Sequence, residues 1–455
     1  MDPLCAAVVR LPTLSLGRWA PCLQALRALG FNAVDLPLVW RDHAEEDGTF
    51  NLGRGTLDLA AMLHAVRAAG LKLVVRAGPF GLPQSPGGGV PEAVLRDPRC
   101  QLRTRRGNPC LTLHGGALVP LPDPASEAYR RAARSWVQAL ARRLAEPARE
   151  GLLTRFIVGH GPDPGLHHEP SEASLGQHLL ESAREEGLPE SALAATGSLL
   201  EPLQGGVTVA AAPPPHAGST ALWRALRAAL ARAPSLHLDL RSGGPVFERP
   251  TLPAHTEEVA RLALAAGVRS YSVFLGCAGS GWVGALLDEE GSPRPPAARW
   301  RALNALAASL PTGRELCVAL PPRPDRDLQA PFGALLGWAG LRAPEPGGDP
   351  GREAEGALSR RALPWRRAPD PEAPTVEALE ALAPEVRPEG AALTRVVEAS
   401  GELFLVALNR SEGAASVGPG PRARWRAGGA SAEGFVTLGP GAVGVFSLAS
   451  AEVSE

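Results

Sequence analysis

A (β/α)8 barrel followed by a small antiparallel β-sandwich is the fold class this sequence predicts. Three observations predict it. Apolar strand-like runs alternate with amphipathic helices over the first 310 residues. Glycines stand where helix gives way to strand, at Gly30, Gly70 and Gly267. Beyond about residue 390 the pattern turns into short strands separated by glycine turns, as in ELFLVALNR, RARWRA, GFVTL and AVGVFSL.

The strands are expected at 4–11, 31–40, 71–77, 153–160, 192–197, 207–212, 235–241 and 269–276. Helices are expected between them, at 15–29, 55–69, 126–147, 172–186, 220–232, 254–266 and 295–310. Leu59, Met62, Leu63 and Val66 fall at i, i+3, i+4 and i+7, which makes one buried helix face. No G-x-G-x-x-G follows a strand, so a dinucleotide-binding doubly wound sheet lacks its fingerprint. We expect the barrel over 1–310, a linker or intermediate region over 311–385, and the β-sandwich over 386–455. The middle stretch is rich in proline, arginine and acidic residues, although CVAL and GALLGWAGL have the make-up of small packed elements.

Composition excludes several function classes. The formal net charge is -1 and no basic stripe appears, so nucleic acid is not an expected partner. Lys72 is the only lysine among 46 basic residues, a bias we assign to base composition. The six cysteines are scattered without C-x-x-C spacing, which argues against a disulfide framework or zinc finger. No apolar stretch approaches a membrane span, and the opening MDPLCAAVVRLP lacks a secretory pattern; a cytoplasmic location without membrane attachment is expected. No cofactor is expected, and oligomeric state stays open.

Three strand ends carry candidate chemistry. Strand seven reads SLHLDLR, and side chains alternate across a strand. His237, Asp239 and Arg241 share one face, and Leu236, Leu238 and Leu240 share the other. The leucines are expected to pack on helices, which turns the polar face into the barrel. Two readings stay open: a functional site, or a satisfied cluster that stabilises the barrel mouth. Strand four ends in VGHGPD, followed by His167 and His168. Asp163 there is a candidate carboxylate; a metal site from His160 and Asp163 is a weaker reading, because the spacing fits no metal motif. After strand three, RAGPFGLPQSPGGGVP combines glycines, which allow close backbone approach, with prolines, which restrict it. A carboxylate after strand four opposite one after strand seven suits glycoside hydrolysis, which needs two flanking carboxyl groups. No P-loop and no G-x-S-x-G elbow is present.

These segments resemble family-35 glycoside hydrolases, the β-galactosidase family within the barrel clan of retaining glycosidases. LGRWAPCLQALRALGFNAVDLPLVWRDHAEEDGTFNL resembles the family's W-N-x-H-E-x-x-x-G opening through Trp40, His43 and Gly48. The glycine-proline loop resembles R-P-G-P-Y-I-C-A-E-W-x-x-G-G-x-P through Arg76, Gly78, Pro79, Gly88, Gly89 and Pro91. GVRSYSVFLGCAGSGW and LLDEEGSP resemble its later glycine-rich loop and D-A-P-L-x-E-x-G. The resemblance implies a barrel, trailing β domains, a carbohydrate ligand, no metal and no cofactor. It places the acid/base of Q-V-E-N-E-Y-G on Asp163 and the nucleophile of S-E-F-Y-x-G-W on Asp239. Trp40, His43, Arg76, Gln84, His160, His237 and Trp282 become candidate substrate-binding or tuning residues.

The sequence also departs from that pattern. Both family glutamates become aspartates, the second-strand tyrosine falls on Pro37, and the loop glutamate falls on Gln84. Shorter carboxylates widen a gap that is about 5–5.5 Å in retaining and about 6.5–9.5 Å in inverting enzymes. The leading expectation is a metal-independent glycosidase acting on a β-linked glycoside, with Asp163 and Asp239 as its carboxylate pair. The alternative is a catalytically silent barrel that binds carbohydrate or serves as a scaffold.

Overall fold

The computed structural model describes residues 3–79, 86–114, 117–158, 169–196, 207–211, 219–232, 235–245, 252–277, 282–288, 290–319, 385–387, 392–400, 402–409, 415–418, 423–425, 436–439 and 441–450. Eight parallel strands close a barrel: β1 (Leu4–Val9), β2 (Ala33–Pro37), β3 (Lys72–Gly78), β4 (Leu153–Val158), β5 (Leu193–Thr196), β6 (Val207–Ala211), β7 (Leu236–Arg241) and β8 (Ser270–Cys277). Each pairs with its sequence neighbours, and β8 returns to β1 with Leu4 opposite Ser270 and Ala6 opposite Ser272. Among the described residues, seven helices of ten or more residues cover the outside: α1 (Leu16–Ala28), α2 (Leu59–Ala68), α3 (Glu127–Arg149), α4 (Glu169–Glu185), α5 (Ser219–Arg232), α6 (Pro253–Ala266) and α7 (Ala297–Ser309). Among the described residues no helix lies between β5 and β6.

Local chemistry accounts for the boundaries. The Asp58 carboxylate accepts from the Ala61 amide at 3.0 Å and so caps α2, satisfying one of the free donors of its first turn. Ser126 does the same for α3 through the Tyr129 amide, at 3.3 Å. At Gly267 the chain ends α6 in the left-handed region, with φ of 108°, and enters β8 within three residues.

Apolar alternation then sorts the strands. Val34 and Leu36, Leu73 and Val75, and Leu236, Leu238 and Leu240 belong to the large outer core shared with the helices. Leu4, Ala6, Ala33, Val74, Ile157, Ala194, Val207 and Val209 form a separate inner cluster that fills the barrel toward the strands' N-terminal ends.

Residues 314–450 supply two antiparallel sheets. The first orders β9 (Arg314–Ala319), β11 (Ala392–Ala399), β12 (Glu402–Asn409), β16 (Val443–Ser450) and β14 (Ala423–Trp425). The second orders β10 (Glu385–Arg387), β13 (Ala415–Gly418) and β15 (Val436–Leu438). One contact with the first runs through Asn409, whose amide donates to the carbonyls of Leu438 and Gly439 at 2.9 and 3.0 Å. Val406 and Leu408 join the barrel's outer core, and Arg261 on α6 donates to the Gly441 carbonyl at 3.0 Å. No helix among the described residues is long and apolar enough to cross a membrane.

Candidate active site

Above the inner apolar cluster, toward the C-terminal strand ends, the barrel interior turns polar. On β2, Ala33 faces the interior, so Asp35 two residues on faces it too. On β3 the same step leads from Val74 to Arg76, and on β7 the inward residues are His237 and Asp239. Ser270 and Ser272 enter from β8, opposite His237 and Asp239 in register. Phe274 lies over this layer, its ring centroid 4.7 Å from the Arg76 guanidinium carbon.

The Arg76 fork holds both carboxylates. Nη1 and Nη2 donate to Asp239 Oδ2 and Oδ1 at 2.9 and 2.5 Å. Nε donates to Asp35 Oδ1 and Oδ2 at 3.0 and 2.9 Å, and Nη2 lies 2.7 Å from Asp35 Oδ2. Two edges of one planar guanidinium thus bind two carboxylates bidentately, a geometry lysine has no means to supply. All three groups are buried, and Asp239 is 2% exposed.

Proton inventory orders the rest. Ser272 Oγ lies 2.6 Å from Asp35 Oδ2 and has one proton, which it gives to that carboxylate. Ser272 must then accept from His237 Nε2, at 2.9 Å. With Nε2 protonated, a neutral His237 takes the Ser270 hydroxyl proton at Nδ1, at 2.6 Å. His237 Nε2 is 3.9 Å from Asp239 Oδ1, too far for a hydrogen bond.

Burial, then the nearby Arg76 and Arg155 cations, hold the His237 imidazole well below its ordinary value, which keeps it neutral. Burial pushes the Asp239 carboxyl above its ordinary value; Arg76 opposes this and Asp35 adds to it. For Arg76, burial pulls downward, but the two carboxylates prevail and the guanidinium is held firmly charged.

The candidate residues therefore divide. Asp239, Arg76 and His237 meet inside the barrel, with Asp35 as a member that strand-seven reasoning alone did not find. Trp40 and His43 sit on a short helix, Trp40–His43, and pack toward α3. The Trp40 ring lies 6.3 Å from that of Tyr129. His43 Nδ1 bonds the Asn51 carbonyl at 2.6 Å, its ring lies 5.4 Å from that of Trp136, and its buried Nε2 has no hydrogen-bond partner among the described residues. Trp136 ties this group to the end of β3 by donating to the Ala77 carbonyl at 2.7 Å. Asp163, His160 and Gln84 lie outside the described residues. Trp282 belongs to a two-residue strand, Trp282–Val283, paired with Gly244–Pro245, and its side chain lies outside the described residues. Beside it, Gly284 has φ of 91°, and a Cβ there would come within 2.8 Å of Gly243 Cα, so only glycine fits this crossing of the two loops. No metal-binding group of three or more acidic, histidine or cysteine side chains occurs among the described residues.

Residues 4–109 match the family model "Glycosyl hydrolases family 35". Over this segment the chain is similar to family 35. The matched segment holds β1 to β3, and with them Asp35 and Arg76. Human "Beta-galactosidase-1-like protein 3" is 37% identical over 86 residues, 19% of this chain and 13% of that protein. "Probable beta-galactosidase C" of Neosartorya fischeri is 35% identical over 80 residues, 18% of this chain and 8% of that protein. The matched segment is thus a small part of the curated relatives' length. Among solved structures, the β-galactosidase from Bacillus circulans sp. alkalophilus aligns over 98% of this chain and 99% of its own, with a TM-score of 0.64 and 9% identity. The β-galactosidase from the psychrophilic Marinomonas ef1 aligns over 98% and 100%, with a TM-score of 0.56 and 11% identity. At these identities the likeness establishes the fold, and the family-35 match lies in the first quarter of the sequence.

Proposed function

We propose that this chain is a carbohydrate-binding barrel of β-galactosidase type in which Asp239 serves as a structural ion-pair partner and not as a nucleophile. One observation carries this reading: both Asp239 oxygens are taken by the Arg76 fork, and the side chain is 2% exposed. A nucleophile needs an oxygen about 3–3.5 Å from the anomeric carbon, aligned with the bond that breaks. A carboxylate clamped edge-on beneath Phe274, one methylene shorter than a glutamate, is poorly disposed to reach such a carbon. The carbohydrate itself is inferred from the family match and from the β-galactosidases that share the fold.

A second reading is favoured by a different observation. Asp239 faces the barrel interior on β7, beside a charged arginine from β3, where the family resemblance puts a catalytic carboxylate. In that reading Asp163 donates the proton to the leaving oxygen and Asp239 acts as nucleophile or base on a β-linked glycoside.

Binding and turnover separate the two. The full chain is titrated with galactose by calorimetry and assayed with a panel of aryl β-glycosides, alongside Asp163→Asn and Asp239→Asn. The binding reading expects heat of binding and the same background release of phenol from all three proteins. Release that falls 1000-fold or so in folded Asp239→Asn, in line with loss of a covalent or base catalyst, establishes the second reading. Absence of both binding and release overturns both.

A further inference from the structure

We propose that the surface ribbon formed by residues 101–114 and 117–122 docks on an anionic lipid bilayer, with Leu111 and Leu118 entering the headgroup boundary and an arginine-rich turn lying on the phosphates. The proposal is independent of the sugar-binding reading.

Alternation gives the ribbon two different faces. Leu111–His114 pairs antiparallel with Ala117–Pro120, with Leu111 opposite Pro120 and Leu113 opposite Leu118. Opposite residues share a face, as do residues two apart, so Leu111, Leu118 and Pro120 stand on one side and Cys110 and Leu121 on the other. The inner side is occupied: Cys100 and Leu121 belong to the barrel's outer core, and Leu102 and Cys110 pack against it. Three backbone bonds of 2.8 Å lock the root, with the amides of Leu102, Leu121 and Cys110 donating to the carbonyls of Leu121, Cys110 and Leu102 in turn. The outer side is bare. Leu111 is 50% and Leu118 67% exposed, and the two stand together on this one ribbon.

Charge is equally lopsided. Residues 98–122 hold Arg99, Arg103, Arg105 and Arg106 and no aspartate or glutamate, in a chain whose formal net charge is -1. Arg99 is paired with Asp97 at 2.8 Å. Arg103 donates to the Gly107 carbonyl at 2.6 Å, which braces the turn and leaves its charge uncompensated. Thr104 closes that turn by donating its amide to the Asn108 carbonyl at 2.8 Å. Arg105 and Arg106 project from it, exposed, and neither has an acidic partner among the described residues.

Uncompensated arginines beside an exposed apolar face match one kind of partner best. A protein adding a strand to the ribbon would meet Pro109 and Pro120, which offer no N–H. A soluble polyanion would engage the arginines and leave the leucines in water. A bilayer with anionic headgroups takes both, since its charge attracts the arginines and its acyl boundary buries the leucines. Each arginine near such a surface contributes about fivefold in affinity, and each leucine about tenfold. Attachment on this scale is reversible and needs no membrane-spanning segment, in keeping with the lack of one among the described helices. It replaces the expectation of a chain without membrane attachment. The ribbon lies in the connection from β3 to α3, at the strand ends beyond Arg76 and Asp239, so docking holds that end of the barrel at the surface.

The full chain is mixed with vesicles of phosphatidylcholine and with vesicles of equal parts phosphatidylcholine and phosphatidylserine, and bound protein is measured by flotation. We expect binding to the mixed vesicles alone, weakened by added salt. Arg105→Ala with Arg106→Ala should lower the affinity about 25-fold. Leu111→Ser with Leu118→Ser should lower it about 100-fold. All four positions are exposed, so both variants should keep the wild-type thermal midpoint. Where a double variant melts early, Leu118→Ser and Arg106→Ala alone decide. No binding to the mixed vesicles, equal binding to neutral ones, or an affinity unmoved by the leucine changes overturns the proposal. Polyglutamate bound as tightly as the mixed vesicles also overturns it and assigns the patch to an acidic protein partner.

Discussion

Inside the barrel, Leu4, Ala6, Ala33, Val74, Ile157, Ala194, Val207 and Val209 meet as an apolar layer. Two residues beyond Ala33 and Val74, Asp35 and Arg76 meet Asp239 of β7 as a charged layer. On β2 and β3 the two layers share a backbone, a register and near-total burial, and they differ only in side chain. The lower layer gains from burial at each methylene. The upper layer gives up hydration of three charges and recovers it through bidentate contacts, which at best breaks even against well-packed apolar side chains. A fold seldom retains such a layer for stability alone, which makes this half of the barrel the candidate site.

The largest expected effect breaks that contrast at its centre. Arg76→Met leaves Asp35 and Asp239 buried without a cation and should cost about 3–5 kcal/mol of unfolding free energy, read from urea denaturation. Converting the whole layer sharpens the contrast: Arg76→Met combined with Asp35→Leu and Asp239→Leu should recover most of that loss. If the triple variant is no more stable than Arg76→Met, the charged layer is a net source of stability and the comparison fails.

Of the two layers, acid should act on the upper alone. The folded state keeps His237 neutral while the unfolded chain protonates it below its ordinary value, so the folded state binds fewer protons as pH falls. Its stabilising contribution is complete above the ordinary histidine range and declines by up to about 2 kcal/mol between about pH 7 and pH 5. His237→Gln should remove that part of the decline. His43, also lowered by burial, leaves a remainder of the same sign. Asp239 has the opposite sign: its raised carboxyl favours the fold at low pH, and this is lost as pH rises through the ordinary carboxylate range toward its shifted value. The smallest effect belongs to the lower layer, where Ile157→Val should cost about 0.5–1.5 kcal/mol with no change in pH dependence.

The architecture was legible because its signals are local. Helix-ending glycines, period-two strands and the leucine face of SLHLDLR all depend on neighbours within a few positions, and Leu236, Leu238 and Leu240 do lie in the outer core. The short strand Leu193–Thr196 was visible as an apolar run, while the hairpin pairing Leu111–His114 with Ala117–Pro120 went unread although Gly115-Gly116 between its strands is a tight-turn signature. The inward direction of His237 and Asp239 followed from alternation. What alternation on one strand does not supply is the partner across the barrel. Asp35 was open to the same reasoning, since NAVDLP places Val34 and Leu36 outward, yet the family pattern drew attention to the residues around it. That Arg76 joins Asp35 to Asp239 depends on closure of the whole cylinder, a long-range fact no window of sequence contains.

The first of the two trailing sheets has its own consequence for the barrel. Its first strand, Arg314–Ala319, begins five residues after α7 ends, and Val406 and Leu408 seal the flank of α6. A chain cut after residue 310 would bare an oily strip on α6 and strand the Arg261 guanidinium that now caps Gly441. The two halves should therefore melt in concert, and the trailing sheets behave as the buttress of the wall they lean against.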